Sequence, residues 1–149
     1  MPLDRQWIES HIPHRGSMCL LDAVMAWTAD RIRCRTRTHL SADNPMRAHG
    51  RLGIACGIEY AAQAMAVHGA LSHEAAAAPA VGFLAGVRGV LFHVERLDDV
   101  PGDLLCEVVR VAGDRGSALY EFELRGADRT LLSGRATVIL DASGQMMTP

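Results

Sequence analysis

The sequence predicts an α+β fold in which one long central helix is wrapped by a curled antiparallel sheet. Three observations carry that prediction. Leu52–Leu71 is almost uncharged and rich in Ala, Gly, Ile and Met, so a helix there has no polar face to give to water and should be buried. Arg31–Thr38 alternates strictly, with Ile32, Cys34, Thr36 and Thr38 on one side and Arg31, Arg33, Arg35 and Arg37 on the other, which is the period of a strand with one solvated face. The other long segments also read as strands, and a sheet curled around the helix is the economical way to cover it. A chain of 149 residues suits one such domain, spanning 1–149.

Taken in order, residues 3–10 suit a short amphipathic helix with Leu3, Trp7 and Ile8 inward, and HIPHRGSM (11–18) is a Pro/Gly loop. Cys19–Thr28 reads as a strand, followed by the Arg-faced strand and a second loop, HLSADNPMRAHG (39–50). The central helix ends near Ser72–His73, and 73–80 is a connector. Val81–Val94 is a long strand whose three glycines predict a bend or bulge. Leu104–Ala112, Ala118–Arg125 and Thr130–Leu140 complete the sheet, separated by PGD (101–103), 113–116 and GAD (126–128); the tail 141–149 is expected to fray. The expected order is β-β-α-β-β-β-β.

Composition narrows the function. Apolar content of 49%, charged content of 21% and a net charge of −2 describe an ordinary globule with no general attraction for nucleic acid or anionic membrane. All 15 basic residues are Arg, so an acidic partner would meet guanidinium groups. The Arg row of 31–37 reads as a solvated sheet face sooner than a docking patch. Cysteines at 19, 34, 56 and 106 have neither CxxC spacing nor a completing His, so reduced thiols and no metal are expected. The N-terminal residues lack the apolar core of a signal peptide, and the longest apolar run is broken by Glu59, Gln63 and His68; a cytoplasmic protein is the expectation. Nucleotide-loop, serine-hydrolase and zincin motifs are missing from the sequence.

Glu59 is the residue that points to chemistry. It is a lone carboxylate in a helix expected to be buried, where an acid is costly unless paired or at work. Its neighbours one turn away, Ala55, Cys56, Ala62 and Gln63, are mostly small and leave room for a ligand. The structural alternative is a carboxylate satisfied by Gln63 or by backbone. Among the histidines, His14 reads as a structural loop residue, His68 and His73 suit a helix C-terminus, and His93 is open between core and surface.

Three blocks, in order, resemble the hotdog-fold 3-hydroxyacyl-[acyl-carrier-protein] dehydratases of the FabZ type. IPHRGSMCLLDAV (12–24) is similar to L-P-H-R-x-P-F-L-L-V-D-R-V, GIEYAAQA (57–64) to L-x-E-A-M-A-Q-A, and GFLAGVRGVLFHVERLDDVPGDLLCEV (82–108) to F-A-G-I-x-x-A-x-F-x-x-x-V-x-P-G-D. The spellings GIEYAAQA and PHRGSM are most like dehydratase homologues of aryl-polyene and related pigment clusters. The resemblance implies a hotdog fold and syn elimination of water from a 3-hydroxyacyl thioester, giving a trans-2-enoyl product. In that family a His takes the C2 proton, and a carboxylic acid delivers a proton to the departing hydroxyl. The two groups come from opposite subunits of a dimer.

Carried onto this chain, the resemblance makes Glu59 the acid. SADNPMRAHG (41–50) is similar to the family's histidine segment and places the base at His49, with His39 as the alternative. His49 stands closer to the acid than the family's histidine does, because the intervening stretch is shortened here to GRLG. Gly53 is the nearest counterpart of the glycine that polarises the thioester carbonyl, and Gln63 is a substrate-side residue. Arg88, Arg96 and Arg15 are the candidates for docking an acidic acyl carrier protein. No cofactor is implied beyond the phosphopantetheine of a carrier protein or CoA that brings the substrate. The expected assembly is a homodimer, or a heterodimer with another hotdog subunit. Two alternatives stand beside the dehydratase: a non-catalytic or half-active subunit that pairs with a fuller dehydratase, and a hotdog acyl thioesterase.

Overall fold

The computed structural model describes residues 3–72, 81–114 and 116–141. A two-residue strand β1 (Leu3–Asp4) precedes helix α1 (Arg5–His11), β2 (Ala23–Trp27) and β3 (Arg31–Thr36). The central helix α2 (Gly57–Ser72) is led in by a 3-10 turn, Ile54–Cys56, and followed by β4 (Val81–Phe92), β5 (Leu104–Gly113), β6 (Ser117–Gly126) and β7 (Arg129–Asp141). The connector 73–80 and the tail beyond Asp141 lie outside the described residues.

All seven strands join one antiparallel sheet in the order β1-β2-β3-β5-β6-β7-β4, so the edges are β1 and β4. The α+β arrangement expected from the sequence is the one found. Three elements differ from the sequence reading. The central helix begins at Gly57 and not at Leu52, its entry being a 3-10 turn. β1 is too short for any periodicity to reveal and pairs with Ala23 and Val24. β2 begins at Ala23 and not at Cys19, because the backbone of 18–20 is committed to a side chain of α2 (Met18 O and Leu20 N–H both bond Gln63).

Local chemistry explains most boundaries. Asp4 caps α1, its carboxylate accepting from the Trp7 N–H at 2.9 Å. β3 keeps the predicted alternation: Ile32, Cys34 and Thr36 are buried, while Arg31, Arg33 and Arg37 are exposed. Arg33 pairs with Glu107 at 3.1 Å and Arg37 with Asp103 at 2.6 Å, so part of the Arg row is neutralised within the chain. β4 is irregular at Leu84/Gly86 and again at Arg88/Leu91, where Gly89 has φ +62°; this is the bend its glycines predict.

The core lies between α2 and the concave face of the sheet, where Tyr60, Ala64, Val67 and Leu71 meet Ile32, Val108, Phe122 and Leu124. At the start of α2 the approach is so close that a Cβ on Gly57 would lie 2.3 Å from Leu132 Cδ2. α2 is not buried all round. Ala55 and Ala66 are exposed and Ala62 and Gly69 half-buried, one strip along the helix that the described residues leave uncovered.

Two histidines in this core are held neutral. His68 lies between the Tyr120 hydroxyl (2.9 Å) and the Thr28 carbonyl (3.0 Å), and His39 Nε2 donates to the Val100 carbonyl at 2.9 Å. Burial pushes both imidazoles below their ordinary value of 6.5. Unfolded, each takes up a proton as pH falls through about 6.5, whereas the folded chain does so only at lower pH. Stability should therefore fall as pH drops below about 6.5, by at most about 1.4 kcal/mol per histidine for each pH unit in that window. Urea unfolding between neutral and mildly acid pH measures the slope. It should be shallower in His68→Gln, and an equal slope in that variant would remove His68 from the explanation.

Candidate active site

Glu59 sits in the first turn of α2, where a carboxylate also favours the helix dipole. Its side chain is 44% exposed, not buried as its uncharged surroundings suggest, because it lies on the uncovered strip of the helix. Its neighbour is His14, whose Nε2 is 3.3 Å from Glu59 Oε1. Gln63, one turn further along, brings Nε2 to 3.5 Å from the same oxygen.

The loop carrying His14 is fastened from both sides. Gln63 is buried and spends both ends of its amide on the loop: Oε1 accepts from the Leu20 N–H and Nε2 donates to the Met18 carbonyl, each at 2.8 Å. Arg5 donates to the carbonyls of Gly16 (2.8 Å) and Cys19 (2.5 Å) and to Asp22 Oδ1 (3.1 Å). Asp22 in turn accepts from the Arg37 N–H at 2.7 Å. A left-handed residue, Gly16 at φ +56°, turns the loop back toward α1. The imidazole is thus held beside the carboxylate by hydrogen bonds to the backbone on its C-terminal side.

The other two candidate histidines do not reach Glu59 within this chain. His39 is fully buried and occupied with Val100. His49 is exposed at the tip of a two-residue hairpin, Ala48–Arg51, closed by hydrogen bonds of 2.9 and 3.0 Å between those two residues. Its φ is +54° and that of Gly50 +75°, the positive pair such tight turns require. The shortened stretch after residue 50 thus closes on itself. The loop before it is tied to α2 through Tyr60, whose hydroxyl meets Thr38 Oγ1 at 2.9 Å and accepts from Asn44 Nδ2 at 3.1 Å.

Gly53 is exposed and leads into the 3-10 turn before α2; a bridge to Arg96 anchors it. Arg96 clasps Asp98 through both Nε and Nη2, and Asp98 also accepts from the Leu52 N–H at 2.9 Å. The Arg96 guanidinium holds the Asp98 carboxyl well below the usual range. Arg96 is therefore largely committed to bracing the entrance to α2. Arg88 is exposed on β4 opposite Arg135, and Arg15 is exposed next to His14.

The sequence reading missed the pairing of His14 with Glu59. Its signal was present: IPHR opens the first matched block, and Gln63, which anchors that loop, falls one turn after the acid. Two surface concavities, of about 360 and 370 Å³, lie elsewhere, one on the outer sheet face around Glu107 and Glu121 and one beside Arg96 and Pro101. Among the described residues no group of three or more His, Cys, Asp or Glu could hold a metal ion, and no helix is long and apolar enough to cross a membrane.

Residues 6–148 match the ApeP-like family, described as ApeP dehydratase. No curated protein matches the chain in sequence. Among solved structures, a chain of the dehydratase heterocomplex ApeI:P from Xenorhabdus doucetiae superposes with a TM-score of 0.79 at 23% identity, over 90% of each chain. A mutant thioesterase from Pseudomonas aeruginosa gives 0.65 at 14% identity, over 92% of this chain and 93% of that one. A thioesterase from Haemophilus influenzae gives 0.61 at 14% identity, over 89% and 80%. At these identities the structures establish a shared hotdog fold.

Proposed function

This chain belongs to the ApeP-like dehydratase family, and from that premise we propose that it is one subunit of a dehydratase acting on 3-hydroxyacyl thioesters. The observation that carries the reading is the placement of Glu59: a carboxylate in the first turn of α2, facing a strip of small residues, with an imidazole beside it. Glu59 is the acid–base carboxylate, which protonates the departing hydroxyl. His49, on its exposed hairpin, is proposed as a base toward the carboxylate of a second subunit; His39 is occupied with Val100. Substrate arrives on a carrier protein or CoA, with Arg15 and Arg88 as exposed docking candidates and Arg96, clasped to Asp98, a weaker one.

The site is open in one chain, and the surfaces beside it explain how it would close. Three concave-face side chains of the edge strand β4, Leu84, Val87 and Phe92, are exposed, and the small-residue strip of α2 is exposed in part. An apolar edge strand of this kind invites pairing with another sheet. We assign that place to a second hotdog subunit, a copy of this chain or a relative. The likeness to a chain of a dehydratase heterocomplex favours a relative, and with it a second reading in which this subunit is half-active and completes its partner's site.

The test is product analysis with a 3-hydroxyacyl-carrier substrate, using the chain alone and co-produced with a second hotdog subunit. An enoyl thioester supports dehydration. Activity only in the mixed assembly supports the half-active reading. Free acid plus thiol would replace both with a thioesterase.

A further inference from the structure

We infer that His14 is a positioning residue for Glu59: its Nε2–H holds Oε1 and leaves Oε2 as the oxygen offered to substrate. The inference rests on the reading of Glu59 as the acid–base carboxylate and assigns the work to one of its two oxygens.

Three observations carry it. Both nearby donors approach the same oxygen, His14 Nε2 at 3.3 Å and Gln63 Nε2 at 3.5 Å, and no described residue donates to Oε2. The Gln63 amide cannot be turned over without cost. Its oxygen accepts from an N–H and its nitrogen donates to a carbonyl, so a flip would set like against like at both contacts. The tautomer of His14 follows from its other nitrogen. Nδ1 is buried and has no hydrogen-bond partner among the described residues. A proton there would be an N–H buried without an acceptor among the described residues, whereas a proton on Nε2 faces Glu59 Oε1 at 3.3 Å. The ring proton is therefore assigned to Nε2, the nitrogen that stands 3.3 Å from Glu59 Oε1.

The geometry also separates His14 from a base. A base would need the Nε2 lone pair free for the C2 proton, which puts the ring proton on the unpartnered Nδ1. His14 acts through Glu59, in the same chain, so the carboxylate is oriented before any partner subunit arrives.

The experiment compares His14→Gln and His14→Leu in the purified assembly and reads the ring tautomer of the wild type by ¹⁵N NMR at a pH where the ring is neutral. Gln carries an N–H donor of similar reach and should keep kcat within about threefold; Leu should lose about tenfold to a hundredfold in kcat with KM unchanged. The wild-type ring should show its proton on Nε2. Full activity in His14→Leu would overturn the inference, as would equal loss in both variants, which would make the imidazole itself essential. A proton on Nδ1 would also overturn it. Should the wild-type assembly dehydrate nothing, the functional reading fails, while the tautomer measurement still decides the role of His14.

Discussion

Glu59→Gln is expected to lower kcat/KM for dehydration by about 10²–10⁴-fold, the usual contribution of one positioned acid–base group. Glutamine keeps the shape and the contact with Gln63 but has no proton to exchange. The fold should hardly notice. The carboxylate is 44% exposed and its partner His14 28%, and exposed pairs of this kind contribute about 0–1 kcal/mol. Formation of enoyl thioester, followed alongside the thermal midpoint, separates the two effects. Retention of more than half the activity would remove Glu59 from the mechanism. A fall in activity accompanied by unfolding would mean that the first turn of α2 needs the charge for structure.

Val87→Arg is expected to break the assembly. Val87 lies on the concave side of β4 between Leu84 and Phe92, and these three side chains are 39%, 42% and 49% exposed in the single chain. Burying an unpaired guanidinium there costs about 3–5 kcal/mol, which weakens association by about 10²–10⁴-fold. The apparent mass in solution should fall to that of one chain, and dehydration should fall with it. Arg88, the next residue, points to the convex side opposite Arg135 and serves as the control: Arg88→Glu should leave the mass unchanged. A Val87→Arg assembly of undiminished mass would place the subunit interface elsewhere.

Much of this architecture can be read from the amino-acid order because its signals are local. The Arg row of β3 shows its face by strict alternation, and the glycines of β4 announce its bends. The C-terminal end of α2 follows from an uncharged run, whereas its start lies at Gly57 and not at Leu52, because Gly53 is extended and bridged to Arg96. Burial of Glu59 was the misjudged point. An apolar helix in a small sheet looks like a core helix, yet the described residues leave a strip of it uncovered, and one sequence cannot distinguish a face covered by its own sheet from one left open. The pairing of His14 with Glu59 was hidden for a different reason. It joins a loop and a helix far apart in sequence, and the path of the loop is set by side chains that seek carbonyl oxygens, Arg5 and Gln63, which leave no periodic trace. His49 stands in a tight turn closed by the hydrogen bonds between Ala48 and Arg51, a geometry that motif spacing does not reveal.

The four cysteines bear on how the enzymology can be done. Cys34 and Cys106 face each other across β3 and β5 in the interior, and burial pushes the Cys34 thiol up to about 12 and that of Cys106 well above its ordinary value. Cys19 and the half-buried Cys56 are raised as well, again by burial. Since the thiolate is the reactive form, all four side chains should be sluggish toward disulfide reagents at neutral pH. A colorimetric thiol reagent can therefore report release of CoA or phosphopantetheine over a quiet background. Hydrolysis and dehydration can then be told apart in one cuvette.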